Sequence, residues 1–270
     1  MIAAVLLGCT HVPPDARSEA CAECHVEQGA AWAESRHAKA ATNALFAESF
    51  RRTDHPWCLS CHAADGVGVG CATCHAAGSP GCEGCHQFDL PRELGGASSG
   101  VASQDTVQEW RRSSFADRPC TSCHDPHASP GGHDDERMRA ALTVDVRADV
   151  DRVVARLTSH DVGHAVPTGD PFRRLQLDVC ADLGCSRTLA TATFVRRLAP
   201  TEDGGWRLAE DTRVPPPTGG ARTSVVERVL EAPGARGWRL SYHLADPVHE
   251  PVLGAQAVRL LANGPVVGSR

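Results

Sequence analysis

The length, composition and charge of this chain exclude several classes of protein. It has 270 residues and a formal net charge of −6, and an acidic chain of this kind argues against a nucleic-acid-binding surface. No stretch of the sequence reaches the roughly eighteen apolar residues that a membrane-spanning helix needs. Thirteen cysteines beside only 4% aromatic residues are unusual for a cytosolic enzyme, so we expect the cysteines to have a specific role.

The large apolar residues are unevenly distributed. Residues 15–140 contain 17 Ile, Leu, Val, Phe, Met, Trp or Tyr in 126 positions, whereas residues 141–270 contain 37 in 130. The first half cannot bury an ordinary core unless something other than side chains fills its interior. We therefore predict a leader and linker over residues 1–17, one domain over 18–140 and a second over 141–270.

Ten cysteines form five CxxC pairs, and a histidine directly follows each pair. This CxxCH pattern is the attachment signature of c-type haem, in which the thiols bond the haem edge and the histidine binds the iron from one face. Zinc ribbons and disulfides also use paired cysteines, but neither requires this histidine. The sequence therefore predicts five c-type haems at Cys21, Cys24 and His25; Cys58, Cys61 and His62; Cys71, Cys74 and His75; Cys82, Cys85 and His86; and Cys120, Cys123 and His124.

The middle motifs are close together along the chain. Eight residues separate His62 from Cys71, and six separate His75 from Cys82. Such short tethers predict neighbouring haems, whose flat apolar faces would replace an aliphatic core. We expect short helices, long loops and little or no sheet in the first domain, and we expect its apoprotein not to fold alone.

The second axial ligands must come largely from histidine, because Met1 and Met138 are the only methionines. Nine histidines lie outside the motifs, enough to give bis-histidine ligation and low haem potentials. His55 and His127 flank motifs and are candidate distal ligands. His11 and His160 are further candidates, whereas ordinary roles are expected for His243 and His249.

Three further segments carry a resemblance to a known family. They resemble the multihaem c-type cytochromes grouped with hydroxylamine oxidoreductase and its tetrahaem electron acceptor. The resemblance covers roughly residues 18–175. It implies that His37, His133 and His164 are distal haem ligands. The sequence separately predicts that His37 lies in a helical stretch from Ala30 to Ala47. The segments that carry the resemblance are Cys21-x-x-Cys24-His25 with Trp32-x-x-Ser35-x-His37; Gln104-x-Thr106-x-x-Glu109-Trp110-x-x-Ser113 before Cys120-x-x-Cys123-His124 and His133; and Gly163-His164-x-x-Pro167-Thr168-Gly169.

The chain departs from the catalytic members of that family. Those members use an active-site haem with an open or unusual ligand, and some crosslink a tyrosine to it. Here the only tyrosine, Tyr242, lies far beyond the motifs, and the chain has no CxxCK variant. Both departures favour an electron carrier over an enzyme.

The second half is predicted to be a β-sandwich, which makes the fold class α+β. Apolar and polar residues alternate over 142–147, 175–180, 238–244 and 257–261, with Gly- and Pro-rich turns between them. Cys180 and Cys185 flank a predicted turn, and a local disulfide is expected in an oxidising compartment. Asp134 to Glu136 is predicted to open a short helix. Arg173, Arg174, Arg196 and Arg197 are expected on a solvated face, with salt bridges to haem propionates as the alternative.

The N-terminus bears on the location of the protein. Attachment of haem by this motif takes place outside the bacterial cytoplasmic membrane, so export to the periplasm or outer membrane is implied. Leu6-Leu7-Gly8-Cys9 resembles a lipobox, in which Cys9 is lipidated, although the preceding apolar run is short. A truncated signal peptide is the alternative.

The predicted function is electron transfer through five covalently bound haems. The expected partners are other cytochromes or membrane quinol oxidoreductases, and a homo-oligomer or filament is a further option. The alternative functions are reduction of a small nitrogen or sulfur oxyanion, which needs an open iron, and a structural role as the subunit of a haem filament.

Overall fold

The computed structural model describes residues 17–94, 101–129 and 131–268, which fall into two compact units. Unit 1 is Met1–Cys85 with Cys120–Pro130, and unit 2 is His86–Pro119 with Gly131–Arg270. This grouping differs from the single boundary predicted near residue 140, because residues 86–119 associate with the sheet-containing part of the chain. Within the described residues, no helix is both long and apolar enough to cross a bilayer.

Unit 1 is built from short helices joined by turns, as expected for its part of the sequence. Ser35 has an extended backbone and ends the second helix, and the Asn43 side chain accepts a hydrogen bond from Phe46 N (3.0 Å) to begin the third. The prediction of one helix from Ala30 to Ala47 is therefore wrong, because one helix ends and another begins with its own N-cap residue within this range. The helices are α1 (Ser18–Ala22), α2 (Val26–Glu34), α3 (Ala44–Thr53), α4 (Trp57–His62), α5 (Cys71–His75) and α6 (Gly81–His86), with a 3-10 turn at Cys120–Ser122.

Unit 2 contains the strands. Three helices accompany them: α7 (Thr106–Arg111), α8 (Asp135–Ala141) and α9 (Glu250–Leu253), with 3-10 turns at Arg92–Leu94, Gly131–His133 and Gly254–Gln256. The strands are β1 (Gln87–Phe88), β2 (Gln104–Asp105), β3 (Leu142–Asp149), β4 (Arg152–His160), β5 (Arg174–Cys180), β6 (Thr188–Pro200), β7 (Trp206–Asp211), β8 (Thr223–Glu231), β9 (Gly237–His243) and β10 (Val258–Pro265).

Two antiparallel sheets form the body of unit 2. One has the order β10-β9-β5-β6-β7 and the other the order β3-β4-β8. Alternating side chains of these strands form a buried apolar core. Together with the helices, the sheets confirm the predicted α+β fold class. The four segments predicted as strands correspond to β3, β5, β9 and β10. The most deeply buried core side chains include Val153, Leu157, Leu175, Leu177, Phe194, Leu240 and Tyr242.

Two local features of unit 2 follow from its sequence. A disulfide joins Cys180 and Cys185 across the turn that leaves β5. Asp134 caps α8 by accepting a hydrogen bond from Arg137 N (2.9 Å), as the acidic segment predicts.

Of the four arginines expected on a solvated face, Arg197 is exposed as expected, whereas Arg173, Arg174 and Arg196 are half-buried or buried, so the expectation is wrong for those three. Arg196 is only 6% exposed and donates to the carbonyl oxygens of Ser103 (3.1 Å) and Ala102 (2.6 Å). Arg174 forms an ion pair with Glu250. Guanidinium groups have enough donors to be buried against carbonyl and carboxylate oxygens.

Candidate haem-binding site

Each CxxCH motif forms a single helical turn. In the first, His25 N donates to Cys21 O (2.9 Å), and in the fifth, His124 N donates to Cys120 O (3.0 Å). Residues three and four apart lie on one side of such a turn. The two thiols and the histidine of a motif therefore point in one general direction, and none of the ten motif cysteines forms a disulfide with another described residue.

Two motif thiols of unit 1 meet each other. A hydrogen bond with the Cys85 thiol lowers the pKa of Cys61 to about 6, and the same contact raises the pKa of Cys85. The cysteine ends of α4 and α6 are therefore adjacent. This juxtaposition agrees with the short tethers between the middle motifs.

The interior of unit 1 fits a bound apolar group. Among the buried hydrophobic side chains of the described residues, Ala72 is the only one that belongs to unit 1. Its paired cysteines and adjacent histidines are the groups that c-type haem requires. A porphyrin would supply the apolar surface that these side chains do not provide.

Trp32 and Ser35 of the Trp-x-x-Ser segment hold the turn that carries His37. Trp32 Nε1 donates to Val69 O (2.8 Å), and Val69 N donates to His37 O (2.9 Å). The Ser35 hydroxyl accepts from Ala38 N (3.2 Å) and Ser35 is buried. A Cβ on Gly68 would lie 2.7 Å from the carbonyl oxygen of His37, so this close approach requires glycine.

The Nδ1 contacts of two histidines in unit 1 set their tautomers. His37 Nδ1 lies 3.3 Å from Pro126 O, and His62 Nδ1 lies 3.2 Å from Ala40 O. A carbonyl oxygen can only accept, so Nδ1 carries the proton and the lone pair is on Nε2. Metal-binding histidines are typically oriented by this kind of bond. Phe46 stacks on the His62 ring with centroids 4.0 Å apart.

The structure brings His75 and His127 together. Their ring centroids are 6.1 Å apart and their planes differ by 5°. Both belong to unit 1, although 52 positions separate them in the chain (127 minus 75).

His55 has a different contact from the other candidates. Its Nδ1 accepts a hydrogen bond from Trp57 N (3.2 Å) at the start of α4. In a neutral ring this bond leaves the proton on Nε2. The geometry therefore favours a role as acceptor for the first backbone N–H of α4 over a ligand role for His55.

His133 ends a 3-10 turn in unit 2. A Cβ on the preceding Gly132 would lie 2.8 Å from Arg173 Nη1 and 2.9 Å from the Tyr242 hydroxyl. Burial raises the pKa of Tyr242, which is 1% exposed. The only tyrosine of the chain thus supports the backbone beside a candidate ligand.

His164 lies in a loop of unit 2 that α7 supports. Its Nδ1 lies 3.0 Å from Ala165 O, which again places the lone pair on Nε2. Burial lowers the pKa of His164, so the neutral ring prevails at pH 7. Glu109 accepts hydrogen bonds from Ala165 N (3.2 Å) and from the Thr168 hydroxyl (2.7 Å).

Three further histidines have side-chain hydrogen-bond partners. His160 Nε2 lies 2.8 Å from the Thr143 hydroxyl. His243 Nδ1 lies 2.9 Å from both Glu250 and Arg174, and burial lowers the pKa of this histidine. His86 Nδ1 contacts the side-chain amide of Gln104 (3.1 Å).

Some predicted residues lie outside the described part of the chain, namely Cys9 and His11. Other residues of the site were not predicted at all. Arg213, which pairs with Glu109, carried no motif, and the charged and proline-rich sequence around it gave no signal for a buried ion pair.

Comparison with known proteins gives a likeness in fold. No protein-family model matches the sequence, and no curated protein matches it. The chain is similar to the crystal structure of a penta-heme cytochrome c552 from Thermochromatium tepidum, with a TM-score of 0.69 and 20% sequence identity. The alignment covers 94% of this chain and 100% of the other. At this identity the likeness shows a shared fold.

Proposed function

We propose that this protein is a multihaem c-type cytochrome that transfers electrons between redox partners. Five covalent haems would be held by the five CxxCH motifs, each with its own histidine as proximal ligand. The sparse apolar interior of unit 1 and the shared fold with a penta-heme cytochrome support this proposal.

The observation that carries the proposal is the pairing of His75 with His127. Two imidazoles that bind one metal from opposite sides, with metal–nitrogen bonds of about 2 Å, have ring centroids about 6 Å apart. The observed separation is 6.1 Å and the planes are nearly parallel. We infer that His127 is the distal ligand of the iron whose proximal ligand is His75.

Three further distal ligands follow from the resemblance. They are His37, His133 and His164. Two of these, His37 and His164, direct Nδ1 at a backbone carbonyl oxygen, as oriented metal ligands do. The fifth distal position falls to His55 or His11, and the backbone bond to His55 favours His11.

Haem iron supplies the one-electron chemistry when bound, and the chain supplies ligands, spacing and dielectric. The contact between Cys61 and Cys85 and the tethers of eight and six residues support close neighbouring haems. Electrons could then pass along the chain of cofactors without a protein side chain changing oxidation state.

The proposed location follows from the chemistry of haem attachment, and the proposed partners are argued from charge. Export to the periplasm or outer membrane, with a lipid anchor at Cys9, is part of the proposal. Expected partners are other cytochromes or membrane quinol oxidoreductases. Because the chain carries a formal charge of −6 and haem propionates add to it, a positively charged partner face is favoured and electron-transfer rates should fall with salt.

Intact mass measured under denaturing conditions tests the proposal. We expect the chain to carry the added mass of five haems and to show no alkylation at the motif thiols. A variant with Cys71→Ala and Cys74→Ala should carry one haem fewer. A chain without covalent haem, with alkylatable thiols or bound zinc, would overturn the proposal.

A further inference from the structure

Two segments of unit 2 that are far apart in the sequence meet at one buried carboxylate. Glu109 on α7 is 3% exposed. One of its oxygens accepts from Ala165 N (3.2 Å) and from the Thr168 hydroxyl (2.7 Å), and the other lies 2.7 Å from Arg213 Nη2. Two of these three partners belong to the loop that begins at His164.

The same loop is held from its other side by Arg213. Arg213 Nη1 donates to Pro167 O (3.2 Å), and Val166 and Val214 exchange two backbone hydrogen bonds (2.9 and 3.1 Å). Arg213 also pairs with Asp211 (2.6 Å). The loop is therefore tied at Ala165, Val166, Pro167 and Thr168.

Further side chains of α7 and the turn after it complete the support. The Thr106 and Thr168 hydroxyls are 2.8 Å apart. A Cβ on Gly163 would lie 3.5 Å from Trp110 Cδ1 and 3.2 Å from Phe115 Cβ, which leaves little room next to His164. The peptide groups on both sides of His164 thus have fixed neighbours.

The ring of His164 is restrained by hydrogen bonds to this fixed backbone. Its Nδ1–H donates to Ala165 O (3.0 Å), and the peptide that joins His164 to Ala165 donates its N–H to Glu109. A buried carboxylate is costly unless it is fully paired. Glutamine could not replace it without loss, because its NH2 group would face either the donors of the loop or the guanidinium of Arg213.

We propose that Glu109 is a positioning residue for His164, which fixes the direction of its Nε2 through Ala165 and Thr168. The inference rests on the proposed function, in which His164 is a distal haem ligand, and adds a residue that controls how firmly that ligand is held. Residues that orient metal-binding histidines change metal affinity about 10- to 100-fold when mutated.

Ligand competition on the oxidised holoprotein tests this inference. Glu109→Gln should allow cyanide to displace the histidine from one iron at a concentration about tenfold lower than in the wild type, with the other irons unchanged. Thr168→Val removes one hydrogen bond to Glu109 with little change of shape, and it should affect the same iron to a smaller extent. The control is Glu227→Gln, which disrupts an exposed pair with Arg156 in the same unit and should change nothing.

A second background separates positioning from general stability. His164→Gly should open one iron, and added imidazole should restore its low-spin spectrum. In that background, Glu109→Gln should cause no further change, because the free imidazole is not attached to the loop. A further spectral change there would mean that Glu109 acts elsewhere and would overturn the inference.

Different results would contradict the ligand role of His164 and the positioning role of Glu109. If His164→Gly opens no iron, His164 is not a ligand, and both this assignment and the inference fall. If it opens one iron but Glu109→Gln and Thr168→Val titrate with cyanide as the wild type does, only the inference falls. Should Glu109→Gln fail to fold, Thr168→Val gives the decision.

Discussion

At the scale of single residues, the histidines differ in what their ring nitrogens contact. His37, His62 and His164 direct Nδ1 at carbonyl oxygens, whereas Nδ1 of His55 accepts a backbone N–H. The rings of His127 and His75 are nearly parallel, with centroids 6.1 Å apart. Among the candidate distal ligands, these contacts distinguish His37 and His164 from His55 in a way that spacing from the nearest motif does not.

His127→Ala should open the iron that His75 binds. Removal of one of two axial imidazoles leaves a five-coordinate site, so about one haem in five should become high-spin. Electron paramagnetic resonance of the oxidised variant measures this directly. His160→Ala is the matched control, since His160 is bonded to Thr143 and its loss should leave the spectrum unchanged. An unaltered spectrum in His127→Ala would contradict the proposed pairing.

His55→Ala should leave every haem low-spin. The expected effect is a loss of about 1 kcal/mol of stability, the usual cost of losing one hydrogen bond. Thermal unfolding and the spin state of the oxidised protein give the two readouts. A new high-spin signal would identify His55 as a ligand and would contradict its assignment as a backbone acceptor.

At the scale of elements, a Trp-x-x-Ser sequence ends two helices in the same manner. Trp32 Nε1 donates to Val69 O, and Trp110 Nε1 donates to Phe115 O (2.9 Å). The serine is buried in both copies. In the first copy the motif holds the turn of His37, and in the second it supports the loop of His164, which comes from another segment.

Trp32→Phe should weaken the turn of His37. Without the Nε1 donor, the carbonyl oxygen of Val69 loses its partner, at a cost of about 1 kcal/mol, and the midpoint potential of one haem should shift. Trp206→Phe is the control, because Trp206 Nε1 has no hydrogen-bond partner among the described residues. Equal stability and potentials in Trp32→Phe and the wild type would contradict the role assigned to this motif.

Much of the element structure could be predicted from the sequence, and the failures have physical causes. Alternation predicted β3, β5, β9 and β10, and the CxxCH motifs coincide with short helical turns. The break between α2 and α3 was missed because the N-cap preference of Asn43 was not weighed against the helical pattern around it; its side chain accepts from Phe46 N. The pairing of Glu109 with Arg213 joins positions 104 residues apart (213 minus 109), and local pattern cannot reveal it.

At the scale of the whole molecule, the two units are stabilised by different means. Unit 2 has a core of fully buried aliphatic and aromatic side chains, such as Leu157, Leu175 and Phe194. Unit 1 has almost none among the described residues and depends, in our proposal, on its haems. Binding of a group by the folded state alone contributes directly to folding free energy.

Protein made without haem attachment should therefore fold only in part. We expect limited proteolysis to cut residues 17–85 rapidly and to spare a fragment that contains residues 131–268, since only the latter buries an apolar core. The holoprotein, digested in parallel, should resist cleavage in both regions. Equal resistance of residues 17–85 with and without haem would show that unit 1 has another source of stability.

The most direct test of the central claim is the electron paramagnetic resonance spectrum of the oxidised holoprotein, quantified for high-spin ferric haem. An electron carrier with every axial position filled by histidine predicts five low-spin irons and no response to added nitrite or hydroxylamine. If about one iron in five is high-spin and binds either compound, an open iron exists. That result would contradict the carrier proposal and favour a reductase of small nitrogen compounds.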